Sequence, residues 1–209
     1  KVTRTDELIK KGHLSKLRIK VLVCEHRYQP FPDYHSEMEY IVQNEMRNNL
    51  IKNLVTDLDG NTLVLYNYVE KHGEPLHELI NTSVGKTRKV FFVHGSTDTD
   101  DREQVRAITE QEDNAIIIAS YGTFSTGINI KRLHNIIFAS PSKSRIRNLQ
   151  SIGRVLRRGE GKTIATLYDI ADDISGQRDN YTLKHLYERL KIYKEENFKY
   201  EIIKVNLID

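Results

Sequence analysis

Five short apolar runs, interleaved with helical stretches, limit what this chain can become more than any other feature. Thr62–Tyr66 (TLVLY), 89–93 (KVFFV), 115–119 (AIIIA), Asn135–Phe138 (NIIF) and 163–168 (TIATLY) read as strands. Between them, 69–80, 100–112 and 145–156 carry apolar residues at helical spacing. Strands that are continuously apolar, rather than alternating, are buried on both faces. Alternation of such strands with helices predicts an α/β fold, a parallel sheet with helices on both faces. Ligands of these sheets bind outside the carboxyl ends of the strands. The functional loops are therefore expected after Tyr66, Val93, Ala119, Phe138 and Tyr168.

The flanks add elements to this centre. The opening mixes a short polar helix at 6–11 with an apolar strand at 17–24, and Pro30-Phe-Pro32 breaks regular structure. It shows neither the cap nor the lead-in of an independent domain, so residues 1–34 are expected to close a preceding lobe and link it to 35–175. Met38, Ile41, Val42, Met46, Leu50, Ile51, Leu54, Val55 and Leu58 predict one long amphipathic helix over 35–58, stopped by Asp59-Gly60-Asn61. After Tyr168, the run Asp169-Ile-Ala-Asp-Asp173 is expected to close the strand and open a polar loop, with Asp169 capping the next segment. Residues 176–209 are expected to form an extension packed on the lobe, an amphipathic helix at 180–197 and a strand-like run at 200–207.

Composition excludes several classes. With 209 residues, 38% of them hydrophobic, the chain can bury one good core. It carries no apolar run long enough to cross a bilayer and no signal-peptide pattern, so a soluble protein is expected. A single cysteine, Cys24 within Val21-Leu-Val-Cys24, rules out an internal disulfide and a cysteine metal cluster. It favours a reducing, cytoplasmic location. The eight histidines show no metal-ligand spacing, and no metal site is expected. Net charge is only +3, but nine Lys or Arg fall between Lys131 and Lys162 against one acid, Glu160. From Asp98 to Asp113 the balance reverses. One strongly basic flank suits a polyanion.

Within that flank lies Gln150-Ser-Ile-Gly-Arg-Val-Leu-Arg-Arg158. On a helix Gln150, Arg154 and Arg157 recur at steps of four and three and share a face. Two guanidinium forks pointing one way can neutralise charge on a transferring phosphoryl group, although arginine clusters are more often a solvated basic face. The pattern Gln-x-x-Gly-Arg-x-x-Arg resembles motif VI of the superfamily-2 helicases, whose arginines reach the nucleotide from the second of two RecA-like lobes. Leu63-Val-Leu-Tyr-Asn-Tyr-Val69 resembles motif IV, and Val93-His-Gly95 with Arg102 resembles the next conserved block. Residues 115–129 (AIIIASYGTFSTGIN) resemble motif V, where small hydroxyl residues and glycines hold a nucleic-acid backbone and touch the nucleotide.

The resemblance, four blocks in family order over half the chain, implies a RecA-like lobe and assigns its residues. Arg154 and Arg157 would act catalytically; Gln150, Gly153, Gly127 and Asn129 would meet ATP; Asn67, His94, Gly95, Ser120, Thr123, Ser125, Lys143 and Arg145 would meet nucleic acid. Two departures, Asn129 where many members carry aspartate and a segment 120–127 one residue longer than in the DEAD-box type, point away from DEAD-box proteins and toward a branch acting on duplex or branched DNA. Recombination, repair and branch migration belong to that branch.

Two lookalikes fail. Gly85-Lys86-Thr87 and Gly161-Lys162-Thr163 mimic the end of a phosphate loop, but Ile80 and Leu156 stand where its first glycine belongs, and each precedes a strand instead of following one. No Asp-Glu pair follows a strand as a magnesium-binding Walker B requires. The phosphate cradle and the Mg²⁺ ligand are thus expected in a first lobe upstream, with this lobe inactive alone. The rival expectation is a nucleic-acid-binding α/β module without a catalytic part; a small P-loop kinase is disfavoured by both failed matches.

Overall fold

The computed structural model of the protein describes residues 5–127, 130–142, 144, 151–153, 155–157, 162 and 164–208. After a one-and-a-half-turn helix α1 (Thr5–Lys10), strand β1 (Lys16–Glu25) enters a seven-stranded sheet. The other strands are β2 (Thr62–Tyr66), β3 (Val90–Val93), β4 (Ile116–Ser120), β5 (Asn135–Phe138), β6 (Ile164–Asp173) and β7 (Tyr200–Asn206). Their spatial order is β3-β4-β2-β5-β6-β1-β7, and every pair is parallel. All strands therefore present their carboxyl ends at one edge.

Side-chain alternation sends each strand into two cores. Leu63 and Leu65 of β2, Ile117 and Ala119 of β4, and Ile136 and Phe138 of β5 join one cluster. Val64 and Tyr66, Ile116 and Ile118, and Ile137 join the other. The first is covered by α6 (Tyr121–Gly127), by Ile152 and Val155, and by α7 (Tyr181–Glu195) through Leu183, Leu186 and Tyr193. The second lies under α3 (Glu45–Asp57) through Ile51 and Val55, and under α4 (Glu74–Val84) through Leu76, Ile80 and Val84. Between β3 and β4 runs α5 (Thr99–Gln111), with Val105 against the first cluster.

Three expectations need correction. The long helix over 35–58 is two helices, α2 (Tyr34–Gln43) and α3, because Asn44 leaves helical geometry at ψ 114°. Its Oδ1 accepts the Arg47 amide at 2.9 Å, a favourable N-cap that restarts the helix. The helix expected at 69–80 begins as a π-turn, Val69–Gly73, before α4. Strand β6 runs on to Asp173, so Asp169 neither caps a segment nor meets an arginine of the 150–158 motif. It is buried within the strand, where it accepts from Arg189 Nε at 2.8 Å and the Tyr193 hydroxyl at 2.8 Å.

The same strand buries a second carboxylate, Asp172, which accepts from Arg47 Nε at 2.7 Å and pairs with His26 Nε2 at 2.9 Å. Burial alone pushes this carboxyl up, yet the Arg47 charge and the His26 contact together bring it below the usual carboxylate range. Strand β1, within the segment expected to close a preceding lobe, pairs with β6 on one side and β7 on the other. Helix α7 is capped from outside: Glu37 of α2 accepts from the amides of Tyr181 (2.8 Å) and Thr182 (2.7 Å) and from the Thr182 hydroxyl. A carboxylate there also opposes the positive end of the helix dipole.

Candidate nucleic-acid and nucleotide interface

Because the sheet is parallel, the residues after β2, β3, β4 and β5 share the carboxyl edge. Asn67 follows β2, and its amide donates to Ser140 Oγ at 3.1 Å while Nδ2 donates to the Pro141 carbonyl at 3.3 Å. Ser140 follows β5 and is buried; its Oγ also meets His72 Nδ1 at 2.9 Å, and its carbonyl accepts from the Tyr121 hydroxyl at 3.2 Å. The loops after the two central strands β2 and β5 are thus locked to each other and to α6.

Burial, with the nearby Arg47 charge, brings His72 down from 6.5 to about 3, so the ring stays neutral. The sign follows from the unfolded chain taking its proton first. Stability is complete above about pH 6.5 and falls as the pH drops towards about 3, because only the unfolded state gains the proton in that window. Chemical denaturation from pH 7 to 4 should show this slope, and His72→Gln should flatten it; an unchanged slope would assign the loss to other groups.

His94 follows β3. Its amide donates to Thr97 Oγ1 at 3.0 Å and its Nδ1 meets Ser96 Oγ at 2.8 Å, which folds the loop into a turn. The neighbouring Gly95 carbonyl accepts from Arg102 at 2.9 Å, the arginine that the third sequence block singled out. Ser120 ends β4; its Oγ accepts the Thr123 amide at 3.2 Å and meets Thr123 Oγ1 at 2.8 Å, starting α6. Thr123 is itself buried, with its hydroxyl turned to Ser120. A Cβ on Gly95, Gly122 or Gly153 would meet no atom within 4 Å, and none of the three has a positive φ. Nothing inside the chain requires glycine at these places.

Arg157 lies at the end of the helical residues 151–153 and 155, with an exposed side chain. Its backbone is held from two sides. An antiparallel bridge joins it to Leu14, and the buried Lys162 ammonium donates to the carbonyls of Val155, Arg157 (2.9 Å) and Lys131 (3.3 Å). Burial brings Lys162 down to about 8. This lysine, part of the second rejected phosphate-loop lookalike, is a positioning group that sequence reasoning missed. The first lookalike is also turned inward, since Thr87 Oγ1 donates back to the Val84 carbonyl at 2.6 Å. Among the described residues, neither supplies a phosphate cradle.

The basic flank is smaller than the sequence implies. Arg132 pairs with Asp113 and donates to the Glu110 carbonyl at 3.0 Å, so the acidic stretch neutralises part of it internally. Gln150, Arg154, Asn129, Lys143 and Arg145 lie outside the described residues, and Ser125 and Gly127 are described only as backbone of α6. Among the described residues no group of three or more His, Cys, Asp or Glu could hold a metal, and no helix is long and apolar enough to cross a membrane.

Residues 45–159, more than half of the chain, match the helicase conserved C-terminal domain, and the chain belongs to that family. With this sheet it is the second RecA-like lobe of a superfamily-2 helicase. It is 34% identical over 231 residues to the ATP-dependent DNA helicase UvsW of Enterobacteria phage T4, an alignment covering 99% of this chain and 44% of that protein. The crystal structure of T4 UvsW superimposes with a TM-score of 0.76 and 32% identity, over 93% of this chain and 42% of that one. The putative ATP-dependent RNA helicase QP509L of African swine fever virus is 29% identical over 93 residues, 44% of this chain and 17% of that protein. A DEAD-box protein of Methanococcus jannaschii shares the fold, with a TM-score of 0.58 at 16% identity over 93% of this chain and 43% of that one. The chain spans less than half the length of these relatives.

Proposed function

We propose that this lobe completes the ATP site of a DNA helicase or translocase that unwinds or branch-migrates branched DNA in recombination, repair and replication restart, acting in the host cytoplasm if phage-encoded. The observation that carries the reading is the gathering of Asn67, His94-Gly95 and Ser120 at one edge of the sheet in a chain of this family, beside glycines that no internal contact requires. Open glycines at such an edge admit a phosphate backbone, which amides and hydroxyls contact without reading sequence. The preference for DNA follows the 34% identical relative, named for DNA.

Residues 1–34 lead in from the preceding lobe while lending β1, 35–175 form the lobe's body, and 176–209 are its extension. Arg154 and Arg157 face the nucleotide, with Gln150, Gly153, Gly127 and Asn129 around it. Asn67, His94, Gly95, Ser120, Thr123, Ser125, Lys143 and Arg145 form the track for the nucleic acid. ATP supplies the phosphoryl group with its Mg²⁺, and both are held mainly by the first lobe. What this chain's residues do is position: Lys162 and Leu14 fix the backbone at Arg157 so that its guanidinium meets the phosphates when the lobes close. Closure and reopening then let the two lobes grip a strand alternately.

The test is ATP hydrolysis with and without DNA, measured on this chain alone and on a protein carrying both lobes. Activity only in the two-lobe protein, and greater with branched DNA than with RNA, is the expected result. Turnover by this chain alone would mean that it holds a phosphate cradle of its own. Nucleic-acid affinity should also drop about tenfold or more between 50 and 200 mM salt, because backbone contacts release counterions. A flat salt response would remove the track.

A further inference from the structure

Beyond the ends of β6 and β1, the carboxyl edge continues into a feature that no helicase motif covers. The residues after β1 and β6 enclose a cleft of about 340 Å³ lined by Tyr28, Phe31, Arg178, Tyr181 and Lys184 among others. Tyr28 is 65% exposed and also walls a second hollow on the Gly176–Arg178 side. Its ring is seated on Gly176, where a Cβ would fall 2.6 Å from Cε2, so the aromatic plane is fixed by a backbone that must stay bare. Opposite, the Lys184 ammonium sits 5.8 Å from the Tyr181 ring centroid. Arg178 and Lys184 are exposed cations. The carboxylates of the lining are already engaged: Glu37 caps α7, and Asp179 is met by the Tyr187 hydroxyl.

Open aromatic faces flanked by cations are what unpaired bases and their phosphates require. The sheet order places this cleft in line with the proposed track. From β2, which carries Asn67, the edge passes β5 to reach β6 and β1, roughly 12 Å at the usual strand spacing of about 4.8 Å. The geometry points to a base-stacking subsite for single-stranded nucleic acid, in which Tyr28 takes the face of an unpaired base and Arg178 and Lys184 take the adjoining phosphates. The subsite rests on the nucleic-acid reading above and extends it to the strand that leaves the motif-lined track.

The experiment uses the two-lobe protein with a single-stranded oligonucleotide carrying 5-iodouracil, irradiated and mapped for the crosslinked residue, together with binding titrations. A crosslink at Tyr28 is expected. Tyr28→Ala should weaken single-strand affinity about tenfold, Tyr28→Phe should restore it, and blunt-duplex affinity should stay unchanged. Gly176→Val, which displaces the ring without removing any polar group, should act like Tyr28→Ala. Tyr28 is exposed, so a matching thermal melt for Tyr28→Ala keeps the comparison clean. Wild-type binding with no loss in Tyr28→Ala overturns the subsite while leaving the track intact; failure of the wild type to bind nucleic acid overturns both.

Discussion

Arg157→Ala, placed in a protein carrying both lobes, should lower nucleic-acid-stimulated ATP turnover by roughly a thousandfold or more, the range over which arginine fingers act on phosphoryl transfer. ATP and DNA affinities should stay within a few-fold, because the guanidinium matters where charge develops in the transition state. The structure favours a loss confined to the side chain. The backbone at Arg157 is held through the Leu14 bridge and the Lys162 ammonium, neither of which uses the arginine's head group. Arg157→Lys should not rescue, since a point charge lacks the planar fork. Single-turnover ATP hydrolysis separates binding from chemistry, and unchanged turnover in Arg157→Ala would end the nucleotide-facing role.

The second large effect is on stability. Arg47→Ala should cost about 3–5 kcal/mol, because it leaves the Asp172 carboxylate in the interior with only His26 beside it. Against a total of about 5–15 kcal/mol for a domain, the variant is expected to melt roughly 10 °C or more below the wild type. The double variant Arg47→Met with Asp172→Asn should melt above Arg47→Ala, since removing both charges removes the uncompensated one. Thermal unfolding of the four proteins of this cycle reads the coupling; purely additive losses would mean that the pair does not act as a unit.

These two residues also show where the sequence is legible and where it is not. The apolar runs of β2, β3, β4 and β5 announce themselves, because each is buried on both faces and nothing polar interrupts it. The run Asp169-Ile-Ala-Asp-Asp173 reads as a polar loop for a sound reason, since buried carboxylates are rare unless paired. Their partners, Arg189 on α7 and Arg47 on α3, come from distant segments that no local pattern connects to β6. Asn44 was readable in principle: an asparagine inside an apolar helical stripe is a common N-cap, but the stripe continues in phase on both sides and hides the break.

At the site, the blocks at Asn67, His94-Gly95 and Ser120 were visible as motifs, and the parallel sheet places the three at one edge. Lys162 was hidden for the opposite reason. Its neighbours mimic a phosphate loop, and only tertiary structure reveals that its ammonium is spent on carbonyl groups at the end of the helical segment. Arg132 was counted with the basic flank, yet it is matched by Asp113 from the acidic stretch, a cancellation that charge counting along the chain cannot see.

The place of β1 has a consequence for how the molecule assembles. This early strand pairs with no neighbour in sequence: His26 at its end meets Asp172, 146 residues on, and Glu25 meets Lys204, 179 residues on. Its two flanking strands, β6 and β7, are both made long after it. During synthesis an apolar ten-residue strand must therefore wait, with both edges open, until the second half of the chain emerges. Closure of the sheet is the slow, late event of folding, and a nascent chain halted between β5 and β6 is the form most exposed to aggregation.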